Sequence, residues 1–400
     1  MKKFLALILA LVMALSLVAC GSKDNSKTDG DKTTDSKYKV AMITDYGDIT
    51  DQSFNQTTYE ACKAFCEKNK IPFNYFKPAG DSTAQRVAMI EKAADEGYNV
   101  IVMPGYAFGG AIVEAAPDYK DIKFIALDVG ADDLLEAGVA AKGETYDYNP
   151  SNWELSKYVD MSNVYCAIYQ EELCGYMAGY AAVKLGYEKL GFLGGMAVPA
   201  VQRYGYGFVQ GADAAAKELG KNVEMNYVYG GKFSGDADIT AVMDTWYNGG
   251  TQVVFACGGG IYTSAVDAAK KVSGAKVIGV DVDQAGVIQA YAGVEGLTVT
   301  SAMKGLYPAT YDTLTDVIVN GNWDKYVGKI ETLGLVSGDD PTVNYVQIPM
   351  ESTQWADGFT QNDYKALVKS MFDGSVKVSN DTSAMPAVTN VTISDQGKIK

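Results

Sequence analysis

Two aspartates occupy matching places in this chain of 400 residues. The apolar runs Asn99–Gly105 and Gln252–Gly258 both end in glycine, and 23 residues beyond each glycine a further run ends in aspartate, at Asp128 and Asp281. A carboxylate at the end of a buried strand is a strong hydrogen-bond acceptor, suited to the hydroxyl groups of an uncharged ligand. The cations that would hold an anionic ligand are scarce. Arg86 and Arg203 are the only arginines, and 34 basic against 49 acidic side chains leave a net charge of −15. Guanidinium forks are what capture carboxylate and phosphate at two points, so nucleotides and amino acids fit poorly. Nucleic acid, which demands many phosphate-neutralising cations, is not an expected partner. Neutral nucleosides and sugars both remain.

Much chemistry is excluded outright. With no histidine, the chain has no Ser-His or Cys-His nucleophile pair and no histidine metal site. Neither a G-x-x-x-x-G-K-[ST] phosphate loop nor a G-x-S-x-G nucleophile elbow occurs. A hydrolase working through carboxylates alone is the enzymatic alternative. The same acids serve as hydroxyl acceptors, however, so the expectation is a binding protein with no catalytic residue, metal or cofactor. The thiols Cys62, Cys66, Cys166, Cys174 and Cys257 sit in apolar surroundings and are odd in number, which reads as packing and not as a disulfide framework. A single Cys62–Cys66 or Cys166–Cys174 bridge stays open.

The acids must be carried by strands, and the chain supplies them. Strand-like runs fall at 39–44, 73–77, 99–103, 123–127 and 164–168, then at 189–193, 223–229, 252–257, 276–280 and 297–300. Helical patterns at 54–70, 82–96, 171–186, 202–219, 236–248 and 262–272 separate them. Continuous apolar strands alternating with helices predict α/β lobes with parallel sheets covered on both faces. The repeated glycine–aspartate spacing predicts two five-stranded, Rossmann-like sheets, with ligand held where their carboxyl ends face one another.

The amino terminus predicts the compartment. Lys2 and Lys3 precede sixteen residues, Phe4–Ala19, broken only by Ser16, too short to span a bilayer and long enough for a signal-peptide core. The segment Leu17-Val18-Ala19-Cys20-Gly21 resembles the lipobox of bacterial lipoproteins. That resemblance implies cleavage after residue 19 and a lipid on Cys20, anchoring the protein at the outer face of the cell membrane. Gly21–Lys37 has no large apolar side chain and reads as a flexible tether.

Thr44-Asp45-Tyr46-Gly47-Asp48-Ile49-Thr50-Asp51-Gln52-Ser53-Phe54-Asn55-Gln56 resembles the T-D-x-G-x-x-D-D-x-S-F-N-Q signature of the basic membrane protein family, purine-nucleoside-binding lipoproteins of ABC importers. Gly231–Ser234, Phe255–Gly260, Val277–Gln284, Thr300–Lys304 and Phe372–Val378 are similar to later family segments. The resemblance implies a type I periplasmic-binding-protein fold, two lobes joined by three crossovers. It implies that Phe54 and Phe233 sandwich a purine whose edge meets Asp45 and Asn55. Asp128, Asp281 and Lys304 would hold the ribose, with Gly260 admitting close backbone approach. Tyr106 and Phe108 are candidate rim contacts. The implied assignment is 38–167 plus about 302–322 for the first lobe and 168–301 plus about 323–380 for the second, with 381–400 an unassigned extension. A monomer that delivers nucleoside to a separate permease and ATPase is the implied role. A sugar receptor or a ligand-sensing lipoprotein of the same fold is the alternative. Two features depart from the family: Thr50-Asp51 replaces its paired acids, and the polar, tyrosine-rich stretch Lys142–Asn163 is added.

Overall fold

The structure, a computed structural model, describes residues 36–399. The leader, Cys20 and nearly all of the tether lie outside the described residues.

Two sheets organise the chain. The first has the order β11-β5-β4-β3-β1-β2 and is parallel throughout. Its strands are β1 (Val40–Ile43), β2 (Phe73–Phe76), β3 (Val100–Pro104), β4 (Lys123–Leu127), β5 (Val164–Tyr169) and β11 (Ile330–Leu333). The second has the order β12-β10-β9-β8-β6-β7-β13. It contains β6 (Lys189–Gly194), β7 (Val223–Tyr229), β8 (Val253–Cys257), β9 (Lys276–Asp281), β10 (Thr298–Lys304), β12 (Val346–Gln347) and β13 (Val391–Lys398). Only β12 runs antiparallel to its neighbour. The first five strands of each sheet share the spatial order 2-1-3-4-5 of doubly wound folds, which places both cleft-forming ends at strand carboxyl termini.

Burial explains the continuous apolar strands. Along β1, Ala41 and Ile43 join one core while Val40 and Met42 join another on the opposite face. In the second sheet Phe192 and Phe255 face one helical layer, and Leu193, Val254 and Ala256 face the other. Helices α1 (Phe54–Asn69), α2 (Thr83–Asp95), α3 (Gly109–Ala115) and α4 (Ala131–Ala141) belong to the first lobe. The second lobe carries α5 (Glu171–Lys184), α6 (Pro199–Leu219), α7 (Ala237–Asn248), α8 (Tyr262–Ala269) and α9 (Ala285–Ala292). The pair α5–α6 packs unusually closely. A Cβ on Gly175, Gly179, Gly207 or Gly211 would overlap a carbonyl oxygen of the facing helix, so the four glycines set the spacing.

The later part of the chain departs from the expected boundaries. β10 continues to Lys304 in the second sheet, so residues 302–304 do not belong to the first lobe. Helix α10 (Leu306–Leu314) then packs on α1, and β11 pairs with β5, so the first-lobe segment extends well beyond 322. Trp323, Tyr326 and Leu333 pack against the first-lobe core. The chain returns through β12 to α11 (Gln361–Phe372), whose Thr360 and Asp363 form a reciprocal capping box. Residues 375–378 form no strand; the last strand is β13, which covers the β7 edge. The sheets therefore hold six and seven strands, not five each. Within Lys142–Asn163 the chain makes two 3-10 turns, Pro150–Asn152 and Leu155–Lys157. The five described cysteines are unpaired and buried.

Candidate functional site

The loops after β1, β3, β4, β8 and β9 converge on one cavity of about 390 Å³. Asp45, Phe54, Asn55, Asp128, Phe233, Gly260, Asp281 and Lys304 all line it, and so does Tyr106. Phe108 does not. It is wholly buried in the first-lobe core, with the Arg86 guanidinium 5.9 Å from its ring centre, so the rim role is withdrawn.

The first lobe holds its polar groups through a carboxylate cap. Ser53 occupies the position before α1 but makes no capping bond. Asp51 takes that place, accepting from the backbone N–H groups of Ser53, Asn55 and Gln56 at 2.9, 2.9 and 3.1 Å. A negative charge at a helix amino end is favourable there, although burial pushes the Asp51 carboxyl upward. The Asn55 amide donates to Asp51 at 3.0 Å and to Asp45 at 3.1 Å, which fixes its orientation and leaves Oδ1 buried without a partner. Behind Asp45, the buried Arg86 donates to its backbone carbonyl at 3.0 Å and pairs with Asp81.

The two matched aspartates adopt the same rare backbone. Asp128 has φ 58° and Asp281 φ 64°, left-handed values uncommon outside glycine. The strain turns each carboxylate out of its strand end, and both approach the Lys304 ammonium. Lys304 donates to Asp128 Oδ2, and its Nζ lies 3.4 Å from Glu171 Oε1 and 3.7 Å from Asp281 Oδ1. Its Nζ is also 4.7 Å from the Phe54 ring centre. Burial opposes the lysine's charge, but Asp128, Asp281 and Glu171 together hold its pKa above the ordinary value. Burial pushes Asp128 up to about 7 against the pull of Lys304, with Glu171 and Asp281 adding to the rise. Asp128 Oδ1 is buried without a partner.

Phe233 is seated by glycine. Gly258, at φ 141°, would bring a Cβ within 2.7 Å of the ring, and the Gly260 N–H donates to the Phe233 carbonyl at 2.8 Å. An acceptor-lined, two-sided aromatic cavity, with Lys304 and Lys232 among its lining residues, suits a flat, uncharged ligand bearing hydroxyls.

Four participants were not singled out as site residues in the sequence, although Ser53 lies within the Thr44–Gln56 segment. Ser53 donates to Asp281 Oδ2 at 2.5 Å, Tyr204 donates to Asp281 Oδ1 at 3.2 Å, and Glu171 and Arg203 stand behind Lys304. The adjacent acids Glu171-Glu172 after an apolar strand, in a chain with two arginines, were the available clue to the last pair.

Residues 38–346 match the family model described as "Bmp: ABC transporter substrate-binding protein PnrA-like". The ABC transporter nucleoside-binding protein BmpA of Lactococcus lactis is 28% identical over 298 residues, covering 71% of this chain and 75% of that protein. Basic membrane protein B of Borreliella afzelii is 26% identical over 340 residues, covering 83% and 86%. Among solved structures, an ABC transporter solute-binding protein from Aeropyrum pernix superposes with a TM-score of 0.61 at 21% identity, covering 86% of this chain and 88% of that one, which shows the fold. The chain belongs to the Bmp family of ABC transporter substrate-binding proteins.

Proposed function

We propose that this protein captures a purine nucleoside between its lobes, at the outer face of a membrane to which lipidated Cys20 ties it, and hands it to an ABC permease and ATPase. The observation that carries this reading is the shared cavity: Phe54 and Phe233, from opposite lobes, line it together with the acceptors of Asn55 and Asp128. Stacking on aromatic rings is worth about 1–3 kcal/mol per base, and hydrogen bonds to charged groups about 1.5–3 kcal/mol. In this reading the rings take the base, Asp45 and Asn55 its polar edge, and Asp128 and Lys304 the ribose hydroxyls beside Asp281. Gly260 keeps the backbone close. Ligand contacts from both lobes favour the closed form. The name of the Lactococcus relative supports the ligand class, and relatives from Pyrococcus that are named lipoproteins support the anchor.

Calorimetric titration with adenosine, guanosine and inosine, beside ribose, glucose and galactose, tests the ligand. Heat from nucleosides alone is the expected result. Sugar binding without nucleoside binding would replace this reading with the sugar-receptor one. Retention of a Cys20→Ala protein in the membrane pellet would overturn the anchor.

A further inference from the structure

Behind the cleft, buried Lys304 and partly exposed Arg203 share one carboxylate. Glu171 is fully buried and opens α5 directly after the first crossover. Its Oε2 accepts from Arg203 Nε at 2.7 Å, while Oε1 lies 3.4 Å from Lys304 Nζ. Neither Glu171 nor Arg203 lines the cavity. Arg203 reaches it from the first turns of α6, and the glycine contacts between α5 and α6 keep that reach short: Gly207 sits against the Glu172 carbonyl.

We propose that Glu171, braced by Arg203, is a positioning residue for recognition of the ligand's hydroxyl groups, acting through Lys304. An ammonium has three N–H donors. Lys304 faces three carboxylates, of Asp128, Asp281 and Glu171, so each can take one donor. With its third donor drawn backward to Glu171, the ammonium leaves Oδ1 of Asp128, a residue that lines the cavity, without a partner. Without Glu171 that donor turns to the acceptor the ligand needs, and Arg203 loses its buried counter-charge. Arg203 meets the Glu171 carboxylate through its Nε–H, a donor fixed in the guanidinium plane whose direction a lysine ammonium would not reproduce.

This role rests on the nucleoside reading and is tested with two ligands. Inosine and 2′,3′-dideoxyinosine share a base and differ in ribose hydroxyls. Calorimetry on the purified protein should show Glu171→Gln and Arg203→Lys each weakening inosine about tenfold or more, and dideoxyinosine less than about threefold. Equal losses for the two ligands, or no loss, would overturn the role. Arg203→Lys keeps the charge at a partly exposed site and carries the test alone if Glu171→Gln does not fold. A wild-type protein that takes up neither nucleoside overturns the ligand reading itself, a result recognisable before any variant is made.

Discussion

Ser53 Oγ donates to Asp281 Oδ2 at 2.5 Å, a hydrogen bond that joins the start of α1 in one lobe to the end of β9 in the other. Next to it, the Gln284 side-chain amide donates to the Gln52 carbonyl at 3.3 Å. The serine is free to cross because Asp51 caps the helix in its place. These bonds exist only with the lobes together, so they belong to the closed form. A hydrogen bond to a charged group contributes about 1.5–3 kcal/mol, and 1.4 kcal/mol is tenfold in affinity. Ser53→Ala should therefore weaken every ligand by about tenfold, whatever its hydroxyl pattern, and should enlarge the radius of gyration of the unliganded protein in solution scattering. An unchanged affinity and radius would mean that the contact does not hold the lobes.

Much of this arrangement is legible in the sequence. Periodicity located all ten strands of the two repeated halves, most of them because strands buried on both faces run largely apolar, whereas β2, Phe-Asn-Tyr-Phe with its middle exposed, showed only through its two phenylalanines. The repeated glycine–aspartate spacing pointed to Asp128 and Asp281, because a doubly wound fold puts both residues at strand ends. The short strands β11 and β12 escaped notice. Ile330–Leu333 is Ile-Glu-Thr-Leu, half exposed, and joins the first sheet only because the chain crosses back. Likewise β13, with Asp395 and Lys398 on an exposed edge, has no apolar run to betray it. For Glu171 and Arg203 the adjacent acids were the one clue, and their pairing was not legible, since nothing local relates two residues brought together by helix packing.

The two matched aspartates are not equivalent. Both oxygens of Asp281 are engaged, by Ser53 and Tyr204, whereas Asp128 has Oδ1 without a partner. Asp128→Asn should thus weaken inosine far more than hypoxanthine, by about tenfold or more relative to wild type. Asp281→Asn should weaken the two by similar factors, because it acts through closure. The reverse pattern in a competition assay would exchange their roles.

Glu172 gives a pH signature. It is buried, its Oε2 lacks a partner, and burial together with Glu171 pushes its pKa up to about 7. In the unfolded chain a glutamate titrates near about 4.3. Between those values the folded protein binds more protons than the unfolded one, so the group's contribution to stability falls as pH rises toward 7 and then levels off. Asp133, pushed up to about 7 chiefly by burial, acts in the same direction. Glu172→Gln should therefore melt several degrees higher than wild type at pH 8, with the gap closing by about pH 5. A gap that is constant across pH would show that Glu172 titrates alike in the folded and unfolded chains, without the raised pKa.

The seat of Phe233 can be probed without touching a polar group. A Cβ on Gly195 would overlap the Phe233 ring, and Gly195 has none of the left-handed strain of Gly258, so alanine there is opposed chiefly by the ring, with the Lys232 carbonyl a lesser contact at 3.2 Å. Gly195 follows β6 and donates its N–H to the Cys257 carbonyl at 2.8 Å, a bond that alanine keeps. The substitution should push the ring from its place and imitate Phe233→Ala, each weakening nucleosides by about 1–3 kcal/mol, roughly fivefold to a hundredfold. If both act on one stacking contact, their effects cannot add, because residues that share a contact couple. The double variant Gly195→Ala, Phe233→Ala should then bind about as well as Phe233→Ala alone, the smaller side chain making room for the new methyl. Losses that sum in the double variant would mean that Gly195 matters for some other reason and that the ring does not depend on it.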